Sequence, residues 1–403
     1  MKIALLGPIS TSGIAPFLSS PPPPDFPIGV NGAPLLNTLI GALLERGHEV
    51  CAITSGGYEA GRDSKPVCLK GARFEFYCCP QREHSIRISH GRPGRILDFF
   101  AYERRNMQDV ISTVRPDFVH AHWTYEYAMA AMDSGYPYLV TAHDDPKKVL
   151  QLYRNAYRLG RYFMARQVLR RAKALAAVSE NLKSRLSGLA STEMLVVPNP
   201  LSREFISAAT ARPLPSTFAE YRLISVINGF GYLKNARNSL LAFARLRRQL
   251  KGVSYHIYGS DFQADGPGER WAKTQGIAEG VVFHGPVSHT QLVGALRDST
   301  LLLHPSRWEE CPMGIAEAMA LGLPVVGGRE SGGVPWMVDR AGLMVDIDKP
   351  DEMADAALRI LTDDKLYSAC SAAAMERVKA FDPMQVAQQY EAAYMRILSQ
   401  NKD

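Results

Sequence analysis

Cysteine is scarce in this 403-residue chain: six, at positions 51, 68, 78, 79, 311 and 370, with no C-x-x-C pair among them. That spacing argues against both a disulfide framework and a cysteine zinc site, and free thiols are the expectation. Long apolar runs are missing as well, since none approaches the roughly 18 residues of a membrane span. The opening MKIALLGPIS leads straight into a strand without a cleavable leader pattern, which points to the cytoplasm. Several chemical signatures are also lacking. No phosphate loop with its lysine, no G-x-S-x-G turn and no H-E-x-x-H pair occurs. Gly229-x-Gly231 has neither the third glycine nor the acidic partner of a nicotinamide site. Asp346–Ile347–Asp348 is formally a D-x-D, but it separates a strand at Leu343–Val345 from a helix starting at Pro350 and reads as a solvated strand end.

What is present is an α/β rhythm long enough for two or three domains. Lys2 to Gly7 reads as a strand. Leu35, Leu36, Leu39, Ile40, Leu43 and Leu44 then repeat at helical spacing until Gly47 closes the helix, and Glu49 to Thr54 is the next strand. Further strands end at His122, His143, Ser179 and Val197, mostly separated by helices, which predicts a parallel sheet. After Pro200 the rhythm restarts with short apolar runs at 223–227, 254–258, 281–283, 301–303 and 325–326. The expected layout is a first domain at 1–200, a linker at 201–220 containing Pro213 and Pro215, a second domain at 221–382, and a helical tail at 383–403. Ser19 to Pro24 is a proline-rich loop just after the first strand, on the edge where open α/β sheets bind ligands.

The densest stretch is His304 to Val338, HPSRWEECPMGIAEAMALGLPVVGGRESGGVPWMV. Pro305 ends a buried strand, and Pro312 opens a helix that Gly322 and Pro324 close. Glu309 therefore lies in a loop that folds it over the helix start, where unpaired backbone N–H groups point outward, and Glu317 lies inside the helix. Two carboxylates so arranged suit a polyhydroxylated ligand.

This stretch resembles the E-x7-E signature of the group 1, or family 4, glycosyltransferases. Other matches follow in the family's order: Gly47–Val50, His120–Trp123, Thr141–Asp144, Ala177–Glu180, Pro198–Pro200, Lys234–Asn235 and Pro324–Val326. The resemblance implies a GT-B fold, with two doubly wound Rossmann-like domains facing a cleft and the C-terminal helix crossing back to the first. It implies transfer of a hexose-type sugar, with retention and without metal or cofactor, from a nucleotide diphosphate donor to a glycan or lipid-linked hydroxyl acceptor. Glu317 would bind the donor's ribose, while Glu309, Met313 and Gly314 would hold its sugar. Lys234 would face the diphosphate, with Gly332, Gly333 and, from the first domain, Gly32 allowing close backbone approach. His143 would point toward the reacting sugar, while His120 and His122 read as packed or supporting residues. The chain departs from the pattern in two places. Asn228 and Gly229 stand where relatives carry an arginine, for which Arg237 is the substitute considered, and Trp336 stands where relatives carry an acidic residue.

Two other functions fit parts of the sequence: a sugar-nucleotide epimerase on the same fold, and a sugar-nucleotide-binding protein that has lost turnover. Charge adds a further expectation. Residues 147–173 hold nine basic side chains and no acidic one. With no nucleic-acid recognition motif beside them, they point to peripheral contact with the inner face of an anionic membrane or to a solvated basic helix.

Overall fold

The structure is a computed structural model that describes residues 1–59, 64–88, 91–208 and 213–400. The chain forms two compact units, one from Met1–Pro200 with the tail beginning at Pro383, the other from Leu201–Asp382.

The first unit is built on an eight-stranded sheet: β1 Lys2–Leu6, β2 Glu49–Glu59, β3 Val67–Lys70, β4 Phe74–Gln81, β5 Phe118–His122, β6 Tyr138–Ala142, β7 Leu175–Ala177 and β8 Met194–Val196. Their order is β3-β4-β2-β1-β5-β6-β7-β8. All pairings are parallel except β3 with β4. That hairpin corrects the expectation of a wholly parallel sheet of six strands. Its outer strand, VCLK, is only half-buried and too short to show a period against its surroundings. Gly47, at φ +90°, completes the helix Pro34–Glu45: its N–H and that of His48 return to the carbonyls of Leu44 and Leu43.

The tail helix Pro383–Gln400 buries Val386, Ala387, Tyr390, Ala393, Tyr394 and Ile397, one stripe at helical spacing. It covers the face of β5 that carries Phe118 and His120, with the Phe118 and Tyr394 rings 4.5 Å apart. Arg46 and His48 both bind Glu391 on this helix.

The second unit has six parallel strands: β9 Tyr221–Val226, β10 Val253–Tyr258, β11 Val281–Gly285, β12 Leu301–His304, β13 Val325–Gly328 and β14 Gly342–Val345. The order β11-β10-β9-β12-β13-β14 reverses direction between β9 and β12, so the loops after these two strands flank the switch point where such sheets take ligands. The first sheet reverses likewise between β1 and β5.

The expected linker needs correction. Leu201 and Phe205 are fully buried in the core of the second unit, Arg203–Ser207 is helical, and the Leu201 N–H donates to the Phe381 carbonyl at 2.8 Å. The change of unit falls at Pro200 because these apolar side chains belong to the second core. Residues 209–212 of the expected linker, and 401–403 of the tail, lie outside the described residues.

Candidate functional site

In the second unit the loop after β9 and the loop after β12 are fastened together. The Arg307 N–H donates to the Leu233 carbonyl at 2.8 Å, and its guanidinium lies 4.0 Å over the Tyr232 ring and donates through Nε to Asp348 at 2.9 Å. This brings Lys234 to Glu309, with Nζ 2.5 Å from Oε1. Both side chains are about one quarter exposed, so Lys234 is half-buried and held by Glu309. It directly precedes Asn235, which enters the helix Ala236–Gln249 at φ +54° and donates from its amide to the Ile347 carbonyl. Arg307 was invisible in the sequence pattern. So was Asp348, because a D-x-D at a strand end says nothing of which cation reaches it.

Glu317 lies on the helix Met313–Ala320, one turn from Met313 and on the same face. It is 9% exposed, and no hydrogen-bond or ion-pair partner reaches its carboxylate among the described residues. Burial alone pushes its pKa up to about 7. The first turn of that helix has no side-chain cap, which leaves the N–H groups of Met313 and Gly314 for another acceptor. His304 ends β12 beside the pair. Burial pushes its pKa down to about 4, while Glu309 raises it and Lys234 lowers it. His304 Nε2, Ser306 Oγ and Ser331 Oγ are closed off without a hydrogen-bond partner.

Of the other expected donor residues, Arg237 is engaged by aromatic rings and two glycines pack on the chain's own backbone. Arg237 stacks over Phe230 and Trp271, at 5.3 and 5.7 Å, the cation–π contacts a delocalised guanidinium favours. The arginine that does belong to the loops is Arg307. Gly332 and Gly333 serve a close approach within the chain. The Gly333 N–H donates to the Glu309 carbonyl at 2.7 Å, and a Cβ on Gly332, at φ +68°, would meet that same carbonyl oxygen at 2.5 Å. These glycines set the height of Glu309. Gly332→Ala should therefore cost about 1–3 kcal/mol of stability and misplace Glu309; a melt at wild-type temperature with full transfer activity would contradict this.

Cys311 packs half-buried against the core, and Trp336 packs under Arg377, whose guanidinium lies 4.7 Å from its ring and donates to its carbonyl. A cation–π contact and a hydrogen bond from Arg377 thus hold Trp336 at the position where the sequence departs from the family pattern. Asp346 and Asp348 face Lys349 and Arg307, and no group of three metal-ligating side chains occurs among the described residues.

In the first unit His143 follows β6 and is half-buried, its ring stacked at 4.1 Å on Trp123 and its Nε2 2.8 Å from Nδ1 of His122. Burial pushes its pKa down to about 3. The neighbouring Asp144 is raised to about 6 by burial, accepts from the Tyr125 hydroxyl with both oxygens 3.0 Å away, and sits in the field of half-buried Arg161. Gly32 is exposed at φ +114° with open space where a Cβ would be, so it leaves backbone approachable; Gly29 is the crowded glycine of that turn.

In the second unit the loops after β9 and β12 thus hold a fixed ammonium on Lys234 and a neutral imidazole on His304, with the partnerless carboxylate of Glu317 on the helix that follows. The family model "Glycosyl transferase 4-like domain" matches residues 33–200, and "Glycosyl transferases group 1" matches 214–377. The N-acetyl-alpha-D-glucosaminyl L-malate synthase of Bacillus anthracis is 24% identical over 402 residues, covering 93% of this chain and 96% of that protein. Sucrose-phosphate synthase from Thermosynechococcus elongatus superposes with a TM-score of 0.72 at 16% identity over 99% of each chain. A glycosyltransferase involved in lipopolysaccharide biosynthesis does so with 0.66 at 17%, over 96% of this chain and 98% of that one. The chain belongs to the group 1, family 4 glycosyltransferases of GT-B fold, enzymes that use nucleotide-sugar donors. These likenesses favour neither an epimerase nor an inactive binding protein.

Proposed function

We propose that this glycosyltransferase moves a hexose-type sugar, with retention of anomeric configuration and without a metal ion, onto a hydroxyl of a glycan or lipid-linked acceptor. The observation that carries this reading is Lys234, held at the β9/β12 switch point by Glu309 and Arg307's loop. A diphosphate leaving group needs its developing charge offset in place, and a fixed ammonium beside a helix start does that. Glu317 takes the ribose diol, whose two hydroxyls supply the protons its buried carboxylate lacks. Glu309 and the first-turn N–H groups at Met313 and Gly314 hold the sugar. The bond from the anomeric carbon to the phosphate oxygen breaks as the acceptor oxygen bonds to that carbon on the same face, and the acceptor's proton passes to the departing phosphate. His143 is offered to the reacting sugar as a neutral imidazole. The test is to incubate the enzyme with UDP-, GDP- and ADP-hexoses and a panel of hydroxyl acceptors that includes L-malate, the acceptor in the relative's name. Release of nucleoside diphosphate that depends on acceptor, and a product of unchanged anomeric configuration, are expected. Inversion, or epimerisation without acceptor, would overturn the reading.

For a lipid-linked acceptor, the surface around Pro146–Tyr153 and Ala156–Arg171 is the place of contact. Tyr153, Leu159 and Phe163 are exposed there, as are Arg154, Arg170, Lys173 and Arg171, the last also 3.7 Å from Asp133, and this mix of apolar and cationic groups suits an anionic membrane surface. Arg161 has no part in it, being paired to Glu126 at 3.1 Å under Tyr125. The described residues contain no helix long and apolar enough to cross a membrane. Flotation with vesicles containing anionic lipid should show binding at low salt that is lost when Arg170 and Arg171 become Glu; no binding at low salt would exclude this contact.

A further inference from the structure

His143 is not free to choose its protonation, because of His122. In β5 the alternating side chains Phe118, His120 and His122 share one face, and the His120 and His122 rings lie 4.1 Å apart under Tyr390 of the tail helix. His122 is 1% exposed. Its Nδ1 meets His143 Nε2 at 2.8 Å, and its other nitrogen, Nε2, is enclosed with no protein partner and no surface left for water. Burial lowers the pKa of both rings, so at neutral pH each carries one N–H.

Two arrangements are then possible. If His143 donated through Nε2, His122 would carry its proton on Nε2, a buried N–H with no acceptor. If His122 donates through Nδ1, only a bare lone pair is buried, and orphaned donors are the rarer and costlier of the two. We infer that His122 is a positioning residue that fixes His143 in the tautomer protonated at Nδ1, so that the imidazole offers substrate a hydrogen-bond donor and no base. The stack of Trp123 on His143 holds the ring plane while His122 sets the proton. His120 is wired separately, from the Tyr394 hydroxyl at 2.7 Å to Thr141 Oγ1 at 2.8 Å, and supports His122 by ring contact. The ligand group that fits is an oxygen acceptor, a sugar hydroxyl or phosphate oxygen, and acceptor deprotonation falls to another group.

This rests on the reading that places His143 at the reacting sugar, but its first test does not. Nitrogen-15 spectra of the histidine side chains in the wild-type enzyme at neutral pH should show His143 protonated at Nδ1 and unprotonated at Nε2. The reverse pattern overturns the inference whatever the activity. The second test is kinetic. An Asn amide can donate where Nδ1–H does, so His122→Asn should keep turnover within roughly threefold, whereas His122→Leu should lose roughly tenfold in kcat with KM for the donor little changed. In a His143→Ala background, His122→Leu should cost nothing more. Multiplying losses would show that His122 acts on folding rather than through His143. Wild-type transfer by His143→Ala would remove His143 from the reaction and leave the tautomer to the spectra.

Discussion

Lys234→Ala should lower the rate of sugar transfer by about two to three orders of magnitude, the cost of removing one fixed group that stabilises charge developing in a transition state. The fold should survive. The Lys234–Glu309 pair is partly solvated and contributes at most about 1 kcal/mol, so the melting temperature should move by only a few degrees. Lys234→Arg should restore part of the rate, since charge is kept while the reach and the hydrogen-bond geometry change. EDTA should leave the wild-type rate unchanged. Abolition by EDTA with rescue by Mn²⁺ or Mg²⁺ would assign the charge to a cation, and would require Asp346 and Asp348 to leave Lys349 and Arg307.

Glu317→Gln should weaken donor binding by about ten- to hundredfold, the loss of hydrogen bonds to a charged acceptor. It should also make the empty enzyme more stable at pH 8. The sign follows from the raised pKa. The folded state holds its proton up to about pH 7, while an unfolded carboxyl releases it near 4.5, so stability is fully present below 4.5 and is lost as pH rises through 7. The difference is roughly 3 kcal/mol, which Gln does not incur. The donor reverses the preference, because ribose hydroxyls need an ionised acceptor. Wild-type affinity should therefore fall as pH drops from about 7 toward 5, approaching tenfold per unit, and the Gln variant should be flat across that range. Calorimetric titration with a nucleoside diphosphate sugar, whose phosphates do not titrate in this range, checks both. A wild type insensitive to pH, or a Gln variant that binds normally, would remove Glu317 from the ribose.

The residues legible in the sequence were those whose position follows from strand and helix punctuation. Glu309 in a loop, Glu317 in a helix, Lys234 before Asn235 and His143 after a strand are all set by local pattern, and the structure places them so. Partners were not legible. Nothing in the spacing showed that Gly332 and Gly333 would receive Glu309's own backbone, that Arg237 would stack on Phe230 and Trp271, or that Arg307 would fasten two loops 75 residues apart. Such contacts are decided by which strands lie side by side, and neighbours in a doubly wound sheet are distant in sequence. The β3–β4 hairpin escaped for a different reason: it interrupts the β–α alternation that made the remaining strands readable.

The tail helix gives the chain an order of events. Its Tyr390 and Tyr394 close the β5 face that carries Phe118, His120 and His122, yet they are synthesised nearly 270 residues later. During translation the second unit has all of its residues before the first unit has its last helix. A ribosome releasing this protein therefore holds an N-terminal half with an uncovered aromatic face, and expression of residues 1–200 alone should yield material that aggregates until the peptide 383–400 is supplied in trans.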